Sequence, residues 1–300
     1  MDILENRAAL ILEGGAMRGL FTAGVLDFWQ KQNCFFAKIA SVSAGTLQAL
    51  SYVSRQPNRN RRVNLTYCRD SRYMGLRHWL FDGGYFNLRF IFGELAHRLD
   101  PFDYETFARS PQELFALITD CETGAPRFVS SRSCDAETYM TACIAGATIP
   151  FVSRPVIFDG RAYVDGGVSI PLAPLPEELP FPAKRAVYVL TRDVGYRKKP
   201  VSAAAGRLMK HFGARYPKIV SGMISIPARY NARADVLKKL EKEGRAFLIR
   251  PEKPVIVTRT EKDPKKLSDL YEEGYRMAER CFEAMAKWLE EEPAGVHHEA

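Results

Sequence analysis

Short apolar runs that break into glycine-rich or small-residue turns, each followed by helical spacing, set the rhythm of the first half of the chain. Residues 8–13, AALILE, read as a buried strand. Gly14-Gly15-Ala16-Met17-Arg18-Gly19 interrupts it, after which Leu20, Phe21, Val25, Leu26 and Trp29 fall at helical spacing. Residues 37–55 repeat this strand–turn–helix rhythm around Ser41-Val42-Ser43-Ala44-Gly45. Residues 56–62, QPNRNRR, read as a polar connection, and the aromatic- and arginine-rich residues 65–102 as irregular or helical cover. Strands are predicted at 113–118 and 127–130 around a Thr123-Gly124 turn, then a helix over 135–147 with Asp135 near its cap. A hairpin about Asp159-Gly160 delivers Tyr163-Val164-Asp165-Gly166-Gly167, and residues 184–191, KRAVYVLT, form another buried strand. Beyond Asp193 the pattern turns helical, basic and amphipathic as far as about Glu243. Short strands at 247–250 and 255–257 lead into a closing helix over 267–288, striped by Leu270, Tyr271, Tyr275, Met277, Ala278 and Phe282. There is no internal repeat and no linker long enough to separate a pair of domains, so a single α/β domain over 1–291 with a frayed tail at 292–300 is expected.

Composition narrows the class. At 300 residues and 46% apolar the chain can bury a sizeable core. Six scattered cysteines without a C-x-x-C pair suit reduced thiols, and Met1-Asp2-Ile3-Leu4-Glu5 is acidic where an export signal is positive. No stretch approaches the roughly 18 apolar residues of a membrane span, so a cytoplasmic protein is expected. The net charge of +8 is unevenly placed: residues 192–245 hold 14 Lys or Arg against 4 Asp or Glu. Such a balance suits a phosphate-bearing partner or an anionic surface.

Three turns carry candidate chemistry. Ser43 is flanked two residues away by the small Ser41 and Gly45, the spacing of a nucleophile elbow in which any bulk would collide with neighbouring backbone. The plainer reading makes Ser43 a helix N-cap. Residues 14–19 lie between a strand and a helix, a ready anion site. Neither nucleotide-loop pattern fits, because Leu20 and Phe21 stand where Lys and Ser/Thr belong, which leaves a transient oxyanion as the ligand or a turn without one. A serine needs a base. None of His78, His97, His211, His297 and His298 sits in a small-residue turn at a strand end, so a carboxylate is indicated. Asp165 fills that role if desolvation raises its proton affinity without preventing ionisation. Asp82-Gly83-Gly84 repeats its motif but lacks a preceding hairpin, and Asp165 is preferred.

EGGAMRG, SVSAG and YVDGG, in that order, resemble the three motifs of the patatin-like phospholipase family, G-G-G-x-[KR]-G, G-x-S-x-G and D-G-[GA]. The resemblance covers about residues 8–191, including ATIPF at 147–151; the basic region and closing helix at 192–291 carry no motif of their own. It implies a three-layer α/β/α fold with a mostly parallel central sheet and a Ser-Asp dyad, with Ser43 as nucleophile and Asp165 as base. It further implies oxyanion donors at the backbone amides near Gly14, Gly15 and Ala16, with Arg18 supporting the loop. Ala16 and Ser41 depart from the pattern by replacing glycines. The expected activity is cleavage of lipid acyl esters through an acyl-enzyme on Ser43, without metal or cofactor. The competing class is a catalytically weak lipid- or phosphate-binding protein that keeps the fold. Nucleic acid is not an expected partner, since no aromatic platform or recognition-helix motif accompanies the basic segment. Peripheral docking on an anionic membrane is expected of that segment, through Lys198, Lys199, Lys210 and Lys218.

Overall fold

In the computed structural model, which describes residues 8–75, 77–78, 84–151 and 153–291, one eight-stranded sheet organises the chain. Its strands are β1 (Ala9–Leu12), β2 (Lys38–Val42), β3 (Glu113–Asp120), β4 (Pro126–Ser130), β5 (Val156–Phe158), β6 (Arg161–Asp165), β7 (Ala186–Val189) and β8 (Ala246–Ile249). β3, β2, β1, β7 and β8 run parallel in that order, while β4, β5 and β6 are antiparallel additions at the β3 end.

The parallel strands are apolar on both faces because helices cover both. From β1, Leu10 and Leu12 enter one core and Ala9 and Ile11 the other. The first core is closed by α1 (Gly19–Lys31), α2 (Ala44–Val53), α3 (Arg59–Tyr67), α5 (Ala136–Gly146) and α8 (Pro264–Glu290), with the short α4 (Tyr104–Arg109) at its rim. The second is closed by α7 (Pro217–Lys242), through Tyr230, Leu237 and Leu240, and by residues 172–183; α6 (Ala203–Phe212) precedes α7. The result is the expected three-layer α/β/α arrangement. No helix among the described residues is long and apolar enough to cross a membrane.

The closing helix packs on α1 by backbone approach. A Cβ on Gly24 would lie 2.1 Å from the Tyr271 carbonyl oxygen, and one on Gly274 would lie 2.0 Å from that of Phe21. At this crossing the Tyr271 hydroxyl donates to Asp27 Oδ2 at 2.8 Å, below the apolar stripe.

Two segments differ from the sequence reading. Residues 59–62 open α3, and Arg59 is buried, bonded to the Asp100 carbonyl at 2.8 Å and ion-paired with its carboxylate at 3.3 Å. A run read as a polar connection is thus largely helical, held by a carboxylate distant in sequence. Residues 255–257 form no strand. Pro251 and Pro254 lie just before this run, and the Val255 carbonyl accepts from Arg192 Nη1 at 2.8 Å rather than from a neighbouring strand.

Candidate active site

Strand register brings the second and third motifs together. Phe115, Ala116 and Leu117 pair with both β2 and β4, so those two strands lie on opposite edges of β3. Ile118 and Thr119 pair with both β4 and β6, so β6 also lies opposite β4 and shares an edge with β2. β2 is parallel to β3 and β6 antiparallel; their C-terminal ends therefore meet head-on, Val42 beside Leu117 and Asp165 beside Ile118. Ser43, the next residue after Val42, arrives next to Asp165.

Ser43 turns the chain from β2 into α2 at φ 54, ψ −126, a strained setting for a residue with a Cβ. A Cβ on Gly45 would lie 2.7 Å from the Leu12 carbonyl oxygen, which is why the turn demands glycine there. Although Ser43 is the N-cap residue, its side chain caps nothing. Its hydroxyl donates to Asp165 Oδ2 at 2.6 Å. Ser41, where a glycine was expected, is accommodated by burial and by hydrogen bonds to Thr46 Oγ1 at 2.9 Å and the Phe115 carbonyl at 3.1 Å.

Asp165 is buried and held from several sides. Its N–H donates to the Thr148 carbonyl at 2.8 Å, its carbonyl accepts from Thr119 Oγ1 at 2.9 Å, and its Oδ1 accepts from the Gly167 N–H at 2.7 Å. Gly166 is needed because a Cβ would strike the Leu117 carbonyl oxygen at 2.3 Å. Burial raises the proton affinity of this carboxyl above its usual range, opposed by the hydrogen bonds from Ser43 and Gly167.

The glycine loop lies against the elbow: a Cβ on Gly14 would come 2.7 Å from Ser43 Cβ. Among the described residues no backbone acceptor takes the amide hydrogens of Gly14 and Gly15. Ala16 occupies the left-handed region at φ 50, at a cost of about 1–2 kcal/mol. Arg18 is buried, its Nε without a partner among the described residues. The loop is tied down by Glu13, whose carboxylate accepts from the Thr191 N–H at 2.6 Å and the Tyr230 hydroxyl at 3.1 Å. Thr191 Oγ1 in turn donates to the Gly14 carbonyl at 3.0 Å.

Two cavities meet at Ser43, sharing Ala16 and Ile149 in their walls. One is mostly apolar, walled by side chains such as Leu47, Val63, Phe86, Phe92 and Met140, with Arg59, Asn60 and Asn64 also in its lining. The other, the polar cavity, sets a cluster of charged side chains, Glu13, Arg18, Asp165, Arg192, Lys198 and Arg259, among apolar ones such as Leu172 and Met223. No described histidine lines either one. His297 and His298 lie outside the described residues, as does Asp82 of the second D-G-G run.

Several residues at this site escaped sequence reasoning. The Arg229 guanidinium donates to the Val168 and Ser169 carbonyls, each at 2.6 Å, and so pins the loop after Asp165 to α7. Lys198, expected on an outer basic face, lies over the Tyr230 ring at 4.2 Å and lines the polar cavity. Lys218 packs its Cβ region on the Gly124 turn rather than at the cavity. Charge count alone marked this stretch; which cations turn inward is decided by tertiary packing.

An α/β fold with a serine at a strand–helix elbow beside a buried carboxylate defines the class. A family model described as patatin-like phospholipase matches residues 10–176, and the chain belongs to that family. A second model, described as a domain of unknown function (DUF6363), matches residues 216–290. The chain is similar to the uncharacterized protein YjjU of Escherichia coli K12, 28% identical over 191 residues, which are 62% of this chain and 52% of that protein. It thus spans about half the length of that relative. Among solved structures it is similar to VipD from Legionella pneumophila, with a TM-score of 0.45 and 11% identity over 92% of this chain and 67% of that one.

Proposed function

We propose that the protein hydrolyses acyl esters of lipids through an acyl-enzyme on Ser43, with Asp165 as the general base. The observation that carries this reading is the 2.6 Å hydrogen bond from the Ser43 hydroxyl to Asp165 Oδ2 at the junction of an apolar and a polar cavity. As Ser43 Oγ attacks the ester carbonyl, its proton passes to Asp165 and the carbonyl electrons move onto oxygen. The amides of Gly14, Gly15 and Ala16 receive that oxyanion, and Arg18 supports their loop with its positive charge. Collapse expels the alcohol, which takes the proton from Asp165. Water, deprotonated by the same carboxylate, then releases the fatty acid and restores Ser43. The apolar cavity suits the acyl chain.

The region matched at 216–290 belongs, on this reading, to the same hydrolase domain, because it supplies β8 to the sheet and α7 to its second face. Contact with an anionic membrane surface also belongs to the proposal. Phe151 is 38% exposed and follows Ile149 and Pro150 in the cavity walls, and α6 beside it carries Leu208, 59% exposed, between Arg207 and Lys210. A cytoplasmic location fits the six cysteines, all of them free.

Fluorophosphonate labelling tests the central claim. Wild type is expected to be captured at Ser43, and Ser43→Ala and Asp165→Asn to lose capture and ester hydrolysis by at least about a hundredfold. Vesicle binding without capture would instead favour a lipid-binding protein that keeps the fold.

A further inference from the structure

The polar cavity holds more positive charge than the ester chemistry uses. Arg18, Arg192, Lys198 and Arg259 all line it. Neighbouring cations are neutralised: Arg197 pairs with Asp235 at 2.7 Å and Arg233 with Glu178. Among the described residues none of the four cavity cations has such a pair. The two carboxylates in the wall are already committed, Asp165 to Ser43 and Gly167, and Glu13 to Thr191 and Tyr230.

The cations are held in place by other means. The Lys198 N–H donates to Asn231 Oδ1 at 2.9 Å while Asn231 Nδ2 donates back to the Lys198 carbonyl at 3.0 Å, fixing the residue to α7. The Arg192 guanidinium stacks over Tyr196 at 4.4 Å and donates to the Val255 carbonyl. The Arg259 carbonyl accepts from the Met17 N–H at 3.4 Å, which sets that residue beside the glycine loop. Arg18, more than nine-tenths buried, lines the same wall, and its Nε has no partner among the described residues. Burial first and mutual repulsion second lower their proton affinity. Desolvation, then Arg259 and Arg18, press the Lys198 ammonium down to about 8 against the pull of Glu13 and Asp165, and desolvation, then Arg192 and Arg259, press Arg18 down to about 10 against that of Glu13.

We propose that this cavity selects the head group: it receives the phosphate of a glycerophospholipid that carries no ammonium, such as phosphatidate or phosphatidylglycerol, with Arg192, Lys198 and Arg259 as specificity-determining residues. Cations that repel one another in a partly desolvated pocket are relieved by an anion held in charge-assisted hydrogen bonds. A choline or ethanolamine head would bring a fifth positive charge into the same space. The cations without a carboxylate partner line only this cavity, whereas Arg59 in the other is paired with Asp100, and this sets the orientation, with the acyl chain on the mostly apolar side of Ser43 and the glycerophosphate on the cationic side. This inference rests on the hydrolase reading for the placement of the ester but not for the binding of the head.

The test is calorimetric titration of Ser43→Ala protein with dihexanoyl phosphatidic acid and dihexanoyl phosphatidylcholine, both kept monomeric. Phosphatidate is expected to bind at least about tenfold more tightly. Arg259→Gln and, separately, Arg192→Gln should reduce that preference by about tenfold. Arg259 is exposed and makes no side-chain hydrogen bond among the described residues, so its variant tests the cavity without disturbing the fold. Equal binding of the two lipids, no binding of phosphatidate, or a preference unchanged in both variants overturns the proposal. Fluorophosphonate capture of wild type without a head-group preference would sink this inference alone. Preference without capture would sink the hydrolase reading and leave the anion cavity standing.

Discussion

Asp165 carries opposing demands at a single position. As a base it must be ionised, yet burial favours its neutral form and raises its pKa above 3.8. Activity should therefore fall as pH drops through a value above that figure, placing the acid limb of kcat/KM higher than for an ordinary aspartate. Stability follows from the same shift. In the unfolded chain the carboxyl titrates near 3.9, so between that value and its raised folded value the native state binds more protons. The stabilisation from this group is complete below the unfolded pKa and is lost as pH rises through the folded one. Asp165→Asn keeps an acceptor for the Gly167 N–H and removes the charge. At pH 7 it should melt higher than wild type, by roughly 2 °C for each 1 kcal/mol recovered, with the gap closing as pH falls toward 4. A lower Tm at pH 7 would show that the charge stabilises the fold. At this scale Ser43 and Asp165 could be singled out in the sequence because their turns require small neighbours, Gly45 and Gly166, against named backbone atoms. Arg229, Arg192, Lys198 and Arg259 could not. They sit in helical or irregular segments with no local pattern, and only packing aims them at the site.

Elements were legible where one local signal governs each. Asp135 caps α5 by accepting from the Thr138 N–H at 2.9 Å, the hairpin of β5 and β6 turns at Asp159-Gly160, and the apolar stripe marked α8. What stayed hidden was how they join: nothing local announces that β6 shares an edge of β3 with β2, or that α8 crosses α1 through facing glycines. That crossing tests whether the two family-matched stretches fold as one. A methyl on Gly274 has no room beside the Phe21 carbonyl, so Gly274→Ala must shift α8 or α1, at a cost of about 1–3 kcal/mol. If residues 10–176 and 216–290 form one unit, thermal unfolding of the variant should remain a single transition at a lower Tm. Two separate transitions, with only one displaced, would divide the chain into independent domains. Asp27, at the same crossing, is raised to about 6 by burial despite its bonds from Tyr271 and Gln30. Its contribution to stability is present below about 4 and declines as pH rises through 6.

At the scale of the molecule the charge of residues 192–245 divides by role. Arg229 and Arg233 lash α7 to the loop that follows Asp165, Arg192 and Lys198 face the cavity, and Lys218 covers the Gly124 turn. The cations of α6 and of the segment before it, Lys199, Arg207 and Lys210, are all exposed, with Leu208 among them and Phe151 near the cavity walls, and they make a narrower candidate for a lipid surface than the whole stretch. An enzyme whose substrate sits in a bilayer needs its mouth at the interface, and an exposed apolar residue flanked by cations is suited to that contact. Each cation held near an anionic surface contributes about 1 kcal/mol, weakened by salt. Reversing Lys199, Arg207 and Lys210 to Glu together should therefore weaken binding to vesicles containing phosphatidylglycerol by at least about a hundredfold at low salt, while binding to neutral vesicles changes little. None of the three lines either cavity, so turnover of a short soluble ester should stay within about twofold of wild type. Sedimentation with vesicles and an ester assay on the same preparations would separate the two effects. Unchanged sedimentation of the folded triple variant would leave this face as a solvated cover and move the membrane contact elsewhere on the molecule.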